Sequence, residues 1–565
     1  GLATAQQLIA EDANGWFLPG ASIRDRPRFP WRGLMLDVCR HWMPPEVIRR
    51  ELDGMALVKL NVLHLHLSDD QGFRIEVEGH PELSGRGSDG HAYTQAQLRD
   101  LIAYAADRCI RVVPEFDLPG HATSWLVSHP ELACAPGPYR IERHWGVFDP
   151  VFDPTNPATY RLIGEVFREM AALFPDRCFH VGGDENNGAQ WSANPRIEAF
   201  IRRRRLKDNA GLQVYFARRL QGILDGLGKR MVGWDEILDP KLEQSAVIES
   251  WRGPDALAGA ARLGYDGILA HGVYIDLCFP AADYYATDPA PADLAPAERA
   301  HVLGGEATMW SEWVTPDTID SRIWPRTAAI AERLWSPAGV RNEADMYRRL
   351  ACVSRRLDEI GMRHLRYRPP LIDRLLGGER NPAARAALVA LIDAIEPVTG
   401  YERGRQQPDF DQWTPLIGLA DAARPDCPAR LGFVRDAARF LASPGDRTET
   451  AARRLRATLL AWRAAGAAIG GLAPRLPGLA PAAPLAVQWA DASSVGLEAL
   501  GILAGRATPS GWRAASLLRL GRDEEPHDAV QIGAIVGAVR ALVLAAAQDA
   551  SFLHAQPHAP LPSDL

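Results

Sequence analysis

The sequence predicts an α/β fold in which a (β/α)8 barrel of the TIM type is followed by an all-α C-terminal region. Eight short apolar runs, bounded by Gly, Pro or Asp, occur between residues 31 and 336, and helix-like segments separate several of them. Polar or aromatic residues follow the runs, at the strand ends where the active site of such a barrel lies. Alternation of strands and helices over roughly 300 residues therefore suggests a closed parallel barrel.

The elements are assigned in order along the chain. We expect a short apolar helix over 2–9 within a lead-in of residues 1–30, and a barrel over residues 31–368. A capping box at 94–97 opens a helix that runs to Arg108, and a 3.6-residue period predicts helices over 157–173 and 212–227. A helix over 343–360 should close the barrel. The eight predicted strands cover residues 34–38, 62–67, 110–115, 178–181, 231–234, 246–251, 267–271 and 302–310.

Residues 369–565 differ in composition from the barrel. They are rich in Ala, Arg and Leu, and Pro-Gly stretches such as 470–484 interrupt them. We expect four to six helices with apolar stripes, forming a helical domain of unknown role. The most apolar segment, 532–548, carries Arg540, so it is predicted to be a packed helix and not a membrane span.

Composition and charge exclude several classes of function. With 47% hydrophobic and 24% charged residues the chain is globular, and its net charge of −7 argues against a nucleic-acid partner. The seven cysteines are scattered and include no close pair, which argues against a zinc site or a disulfide framework. The chain begins at Gly1 without a signal-peptide pattern. A periplasmic or secreted location is favoured slightly over a cytoplasmic one, and the oligomeric state stays open.

The stretch 179–185 carries the clearest chemical signal. It is predicted to be a short buried strand that ends in Gly182 and Gly183 and then presents Asp184 and Glu185. The two glycines permit backbone conformations that other residues avoid. Adjacent carboxyl groups in unlike environments have pKa values that are pushed apart, so one can stay protonated as an acid while the other stays ionised. For the acidic pair by itself, a solvated turn is the competing interpretation.

Polar and aromatic residues also follow the other predicted strands. They are Asp37 with Arg40, His66 with Asp69, Glu115 with Asp117 and His121, Trp234 with Asp235, Trp251, Tyr274 with Asp276, and Trp310 with Glu312. A sugar has apolar faces and rims of hydroxyl groups, so its pocket combines indole walls with Arg, Asp and Glu. Glycoside cleavage also needs a carboxylic acid of raised pKa to protonate the leaving oxygen. The recurrence at eight strand ends therefore predicts a carbohydrate site.

The chain resembles glycoside hydrolase family 20, the β-N-acetylhexosaminidases. The resemblance covers about residues 1–365. Family members usually have a small α/β domain before the barrel, and residues 1–9 resemble only its tail. The matching motifs lie at residues 32–41, 61–71, 114–121, 180–185, 233–236, 310–312 and 324–326.

The resemblance implies a substrate-assisted mechanism. Glu185 would be the general acid and then the base for water. Asp184 would hold the N–H of the substrate's 2-acetamido group, and Tyr274 would hydrogen-bond its carbonyl oxygen. That oxygen would attack the anomeric carbon and form an oxazolinium intermediate, so the configuration would be retained.

The resemblance also implies a set of sugar-binding residues. Arg40 would bind the 3- and 4-hydroxyls, and Asp276 and Glu312 would bind the 6- and 4-hydroxyls. Three indole rings would wall the acetamido and ring pocket, and three polar side chains would form a supporting network near Glu185. These are Trp234, Trp251 and Trp310 for the walls, and Asp69, Asp117 and His121 for the network.

The resulting hypothesis is a retaining exo-β-N-acetylhexosaminidase that acts on oligosaccharides or glycoconjugates ending in N-acetylhexosamine, without a cofactor, a metal or a membrane span. We expect only one of His64 and His66 to face the pocket and neither to bind a metal. One alternative is a two-carboxylate retaining glycosidase with Asp235, Glu236 or Glu312 as the nucleophile. The other is a barrel that binds glycans without turnover.

Overall fold

The computed structural model describes residues 1–442, 449–522 and 524–546, and it divides into two compact units. The first comprises Gly1–Leu365 together with Asp409–Pro415, and the second contains Arg366–Pro408 and the described residues from Leu416 onward. The boundary after Leu365 lies close to the predicted one after residue 368. The segment Asp409–Pro415, which the sequence places in the helical region, instead belongs to the first unit.

The first unit is built on a closed barrel of eight parallel strands, which confirms the predicted fold class. The strands are β1 (Trp31–Asp37), β2 (Val62–His66), β3 (Arg111–Glu115), β4 (Cys178–His180), β5 (Arg230–Trp234), β6 (Val247–Ser250), β7 (Asp266–Leu269) and β8 (Val302–Met309). Each strand overlaps one of the eight predicted runs. Around the barrel the order is β6-β7-β8-β1-β2-β3-β4-β5, and β5 pairs with β6 to close it.

The barrel strands are buried on both faces, as expected of a parallel sheet covered by helices. In β1 all seven residues are buried, because alternate side chains pack under the helices or into the barrel interior. At the amino ends of the strands, an apolar interior layer contains Trp31, Val62, Val113, Val232, Val247 and Ile268. The next interior layer is polar, and its buried members include His64, Glu115, His180, Glu249 and Glu306.

The expectation for His64 and His66 is wrong. Both side chains point into the barrel: His64 Nδ1 lies 2.7 Å from Glu306 Oε1, and His66 Nδ1 lies 2.6 Å from Glu115 Oε2. Residues two positions apart on a strand share a face because the side-chain period is two. The two imidazoles therefore differ in depth within the barrel and not in the face that they occupy.

Helices surround the barrel and connect its strands. Thr94 and Gln97 form the predicted capping box, which begins the helix Gln95–Ala106. Short hairpins pair Ala10–Asp12 with Gly15–Phe17 and Ser68–Asp69 with Gly72–Phe73. The helices of this unit are Leu2–Leu8, Pro45–Leu57, Pro81–Gly87, Gln95–Ala106, Thr123–Leu126, Pro157–Leu173, Ala189–Ala193, Pro195–Arg204, Asn209–Gly226, Pro254–Arg262, Ala281–Ala286, Pro296–Arg299, Ile319–Ile323, Thr327–Trp335 and Glu343–Glu359, with 3-10 turns at Pro130–Leu132, Asp235–Ile237 and Ile275–Leu277.

The second unit is helical around its own apolar core. Its described residues form seven helices of nine or more residues and two shorter ones, more than the four to six predicted, and a two-residue pairing of Glu396–Pro397 with Val530–Gln531. The last helix, Gly533–Ala546, packs as predicted for 532–548, whose final two residues lie outside the described part. In the described chain, no helix is long and apolar enough to cross a membrane. The other helices are Arg368–Leu376, Pro382–Ala394, Glu402–Gln406, Leu419–Ala422, Pro428–Ala442, Glu449–Leu472, Ala482–Leu503 and Trp512–Arg522, with a 3-10 turn at Pro477–Leu479.

Candidate active site

The end of β4 sends two adjacent carboxylates into different surroundings. Gly182 and Gly183 adopt φ values of +67° and +110°, and Glu185 itself adopts +50°, a region that non-glycine residues seldom occupy. The Gly183 N–H donates a hydrogen bond of 3.1 Å to Asp117 Oδ1. As a result Asp184 is buried, whereas the Glu185 side chain stays 41% exposed.

His121, from the segment after β3, lies between the two carboxylates. Its Nε2 atom is 3.5 Å from Glu185 Oε2 and 3.8 Å from Asp184 Oδ2, and its Nδ1 atom is 3.3 Å from Asp69 Oδ1. Burial lowers the pKa of His121, but the charge of Asp69 and hydrogen bonds to carboxylates outweigh burial and raise the pKa well above its usual value. The imidazole is therefore a cation that links the acidic pair to Asp69.

The pKa values of the acidic pair diverge, although Glu185 moves in the direction opposite to the one expected of an acid. Burial raises the pKa of Asp184, and the hydrogen bond from His121 lowers the pKa of Glu185. Burial and the neighbouring charge of Asp184 raise the pKa of Asp117 still further above its usual range. Among these three carboxyl groups the pKa is thus raised most for Asp117, is raised for Asp184 and is lowered for Glu185.

Arg40 is held at the barrel mouth just after the end of β1, and Asp69 connects it to His121. Its Nη2 atom lies 2.8 Å from Asp69 Oδ2, its Nη1 atom lies 3.3 Å from Asp37 Oδ2, and its guanidinium lies 4.9 Å from the ring centre of Trp310. Burial raises the pKa of Glu312, which is near enough for its charge to raise the pKa of Arg40. The site therefore presents a buried guanidinium fork, a group suited to pairs of hydroxyl groups.

The four predicted aromatic side chains come together beside these charges. The ring of Trp310 lies 5.9 Å from that of Trp234 and 6.4 Å from that of Tyr274, and Tyr274 lies 6.5 Å from Trp251. The Trp234 indole donates a hydrogen bond of 3.0 Å to Glu115 Oε1, which fixes its orientation. These rings form an apolar wall between the acidic pair and the Arg40 side of the site.

Buried oxygen atoms in this site have no hydrogen-bond partner among the described residues. They are Asp184 Oδ1, Asp117 Oδ2 and Asp276 Oδ1. Buried polar atoms are normally hydrogen-bonded, so acceptors beside an aromatic wall fit a ligand that carries N–H or O–H donors. Burial and the charge of Glu312 raise the pKa of Asp276 well above its usual range.

Sequence reasoning did not assign Gln412 to the site, and it considered Glu236 only as a nucleophile of the two-carboxylate alternative. Glu236 accepts a hydrogen bond of 3.0 Å from the Trp251 indole, and burial raises the pKa of Glu236 to about 7. Its position beside Trp234 and Asp235 in a recognised motif was the available signal. Gln412 lies in no such motif, because it is far from the barrel residues in the sequence.

Groups of His and carboxylate side chains also lie close enough together to hold a cation, among them His64, Glu115 and His180. In that group Glu115 lies 3.1 Å from His64 Nε2 and 2.9 Å from His180 Nδ1. Burial lowers the pKa of His180, whereas burial also lowers that of His64 but is outweighed by the charges of Glu306 and Glu115, which raise it well above its usual value. A protonated His64 thus already balances the charge of Glu115, and we assign no metal to this group.

Comparison with known proteins identifies a family and relatives that the chain matches. The model of the glycosyl hydrolase family 20 catalytic domain matches residues 29–338. A beta-hexosaminidase of Porphyromonas gingivalis is 38% identical over 400 residues, covering 64% of this chain and 51% of the relative. The beta subunit of the Mus musculus beta-hexosaminidase is 38% identical over 363 residues, covering 62% of this chain and 67% of the relative. The chain thus spans about half the length of the bacterial relative.

A solved structure resembles nearly the whole chain. The chitobiase of Flavobacterium johnsoniae superposes with a TM-score of 0.90 at 39% sequence identity, covering 96% of this chain and 82% of the other. The similarity therefore includes the helical unit as well as the barrel.

Proposed function

We propose, from the premise that the chain belongs to glycosyl hydrolase family 20, that it is a retaining exo-β-N-acetylhexosaminidase. It removes terminal β-linked GlcNAc or GalNAc from oligosaccharides or glycoconjugates. The observation that carries the proposal is the buried Asp184 Oδ1 atom without a partner among the described residues, beside a wall of aromatic rings. A carboxylate oxygen in that position accepts the N–H of a 2-acetamido group.

Asp184 and Tyr274 orient the acetamido group for attack. Asp184 accepts the amide N–H, and the Tyr274 hydroxyl donates to the amide carbonyl oxygen, which attacks the anomeric carbon while the glycosidic bond breaks. The product of this step is an oxazolinium ion, which water then opens with overall retention. Asp117 supports the step, because its Oδ1 atom accepts the Gly183 N–H and so holds the turn that carries Asp184.

Glu185 protonates the leaving oxygen and later removes a proton from water. Its pKa is lowered in the unliganded protein, but a bound substrate would cover its 41% exposed side chain. Desolvation disfavours the ionised form and raises the pKa of a carboxyl group. Substrate binding thus converts Glu185 into an acid, and product departure lets water restore the lowered value.

The rest of the site selects the sugar. Arg40 binds the 3- and 4-hydroxyls with its guanidinium fork, while Glu312 and Asp276 accept the 4- and 6-hydroxyls. Trp234, Trp251 and Trp310 enclose the acetamido group and the apolar faces of the ring. Asp69 and His121 hold Arg40 and Glu185 relative to each other.

The two alternatives are not favoured. Two of the three residues considered as the nucleophile already have partners: Asp235 accepts hydrogen bonds from the Trp251 and Arg252 N–H groups, each of 3.2 Å, and Glu236 accepts one from the Trp251 indole. A barrel that only bound glycans would have no use for a carboxyl group poised as Glu185 is.

The test is hydrolysis of the p-nitrophenyl β-glycosides of GlcNAc, GalNAc and glucose by the wild type and by Glu185→Gln. We expect release from the two acetamido sugars and not from glucose, with a large loss in the variant. Equal release from glucose would support the two-carboxylate alternative. Binding of the sugars without release would support the non-catalytic one.

A further inference from the structure

A short segment from late in the chain, Asp409–Pro415, forms part of the barrel unit. It lies outside the stretch that matches the family model, residues 29–338. Its turn is closed by Asp411, whose Oδ1 atom accepts hydrogen bonds from the Trp413 N–H at 3.0 Å and from Thr414 Oγ1 at 2.8 Å. The segment therefore has a defined conformation in which the side chain of Gln412 can be directed at a fixed target.

That target is the backbone at the end of β1. The Gln412 Nε2 atom donates to the carbonyl oxygens of Arg40 at 3.0 Å and Cys39 at 3.3 Å, with a longer contact of 3.4 Å to Gln71. In the described residues, no other hydrogen bond reaches the Arg40 carbonyl oxygen. The side-chain amide thus ties the residue that carries the guanidinium fork to its neighbours.

The other end of Gln412 is anchored to the loop after β3. Its Oε1 atom accepts a hydrogen bond from Arg143 Nη1 at 2.6 Å, and its backbone N–H donates one to the Arg143 carbonyl oxygen at 2.8 Å. Ring contacts hold the flanks of the segment, because Phe410 lies 5.8 Å from Trp313, and the Arg143 guanidinium lies 5.0 Å from the ring centre of Trp413. Gln412 consequently bridges two loops of the barrel mouth.

We propose that Gln412 is a positioning residue for sugar recognition, acting through Arg40. Arg40 is only 6% exposed, and its side chain already spans Asp37 and Asp69, so a shift of its backbone moves the fork away from the sugar hydroxyls. The inference rests on the proposed function, since it takes Arg40 to bind the 3- and 4-hydroxyls. It adds to the site a residue that the matched catalytic region does not contain.

The experiment compares GlcNAc with its 4-deoxy analogue, both as free sugars and as p-nitrophenyl β-glycosides. Dissociation constants come from calorimetry, and kcat and KM come from p-nitrophenol release. The variants are Gln412→Ala and Gln412→Glu; the latter keeps the acceptor for Arg143 but cannot donate to the Arg40 carbonyl. The matched control is Asp409→Asn, an exposed residue of the same segment.

For GlcNAc, we expect both Gln412 variants to raise Kd and KM about tenfold, the size of one lost buried hydrogen bond, with kcat within about twofold. For the 4-deoxy sugar the rise should be about threefold or less, because one partner of the fork is missing, and Asp409→Asn should match the wild type. Equal losses for both sugars would indicate a merely structural role and overturn the inference, as would unchanged binding in either Gln412 variant.

Failure of the proposed function can be distinguished from failure of the inference about Gln412. A wild type that binds GlcNAc but releases no p-nitrophenol from its β-glycoside would refute the proposed function, while the Kd comparison would still decide the role of Gln412. A wild type that neither binds GlcNAc nor cleaves its p-nitrophenyl β-glycoside would overturn both.

Discussion

A single methyl group added at Gly182 should reduce activity more than it reduces the stability of the fold. A Cβ atom there would lie 1.7 Å from Asp117 Oδ1 and 2.7 Å from the Asp117 Cα atom. The second distance involves backbone, so rotation of the Asp117 side chain does not relieve the overlap. Gly228 offers a matched control, because its φ of +71° is close to the +67° of Gly182 but a Cβ atom there would meet nothing within 4 Å.

The two substitutions therefore share one destabilising contribution and differ in the other. An alanine at positive φ costs about 1–2 kcal/mol in either place, and forced overlap in a packed interior adds about 1–3 kcal/mol in Gly182→Ala alone. We expect both variants to unfold at lower temperature than the wild type, and Gly182→Ala to unfold a few degrees below Gly228→Ala. Twelve of the sixteen tryptophans precede residue 336, so tryptophan fluorescence reports mainly on the barrel.

Activity should distinguish the two variants more sharply than stability. Displacement of Asp117 disturbs its hydrogen bond from the Gly183 N–H and moves the acidic pair, and a misplacement of about 1 Å can lower a rate about 100-fold. We expect kcat/KM for p-nitrophenyl-β-GlcNAc to fall at least about tenfold in Gly182→Ala and to stay within about twofold in Gly228→Ala. Equal melting temperatures together with wild-type kcat/KM in Gly182→Ala would refute the reasoning.

Four further substitutions test the assigned roles. Glu185→Gln should lower turnover by roughly 10²–10⁴-fold, least for substrates with activated leaving groups, because it removes the acid; steady-state rates on p-nitrophenyl and natural glycosides check this, and equal losses on both would contradict it. Asp184→Asn should lower kcat more than it raises KM, because the acetamido group must be oriented in the transition state, and the reverse pattern would count against the assignment. Arg40→Lys should raise KM, since a bidentate fork becomes a point charge, and unaltered kinetics would remove Arg40 from the site. His121→Asn should raise the pKa of Glu185, which the His121 hydrogen bond lowers. The acid must be protonated, so kcat/KM falls as pH rises through that pKa, and the variant should move this limb of the pH profile to higher pH; an unmoved limb would contradict it.

The barrel could be predicted from the sequence because each of its strands has a recognisable local pattern. A parallel strand buried on both faces is a continuous apolar run, and eight such runs in one stretch suggest a closed barrel. The strand ends were less certain, since a run such as 246–251 continues past the last paired residue, Ser250. Trp251 belongs to the run in composition but already lies in the loop that carries the site.

The members of the candidate site could be named from the sequence, but their protonation could not. Asp184 and Glu185 are adjacent, so their sequence surroundings are nearly the same. The difference between them comes from burial and from His121, which follows another strand: burial raises the pKa of Asp184, and the hydrogen bond from His121 lowers the pKa of Glu185. No local pattern encodes that arrangement.

Gln412 marks a different limit. Its neighbours in sequence are those of a helical region, and the role we propose for it depends on contacts with backbone carbonyl groups, which every residue type has. A backbone carbonyl acceptor does not depend on residue type, so the sequence around Arg40 does not indicate that Gln412 binds there. Only the folded chain places the Gln412 amide 3.0 Å from the Arg40 carbonyl oxygen.

A series of buried charged groups connects Glu115 in the barrel interior to Glu185 at its mouth. Glu115 contacts His66, His66 Nε2 lies 2.7 Å from Asp69 Oδ2, and Asp69 in turn contacts His121 beside Glu185. Burial lowers the pKa of His66, but its two carboxylate neighbours outweigh burial and raise the pKa to about 9. Each buried charge in this series is thus stabilised by a neighbour of opposite sign. Removal of one partner leaves the next charge buried and unpaired, which costs about 3–5 kcal/mol of stability. The lowered pKa of Glu185 is consequently a property of the whole alternating series, because His121 keeps its proton only while Asp69 keeps its charge.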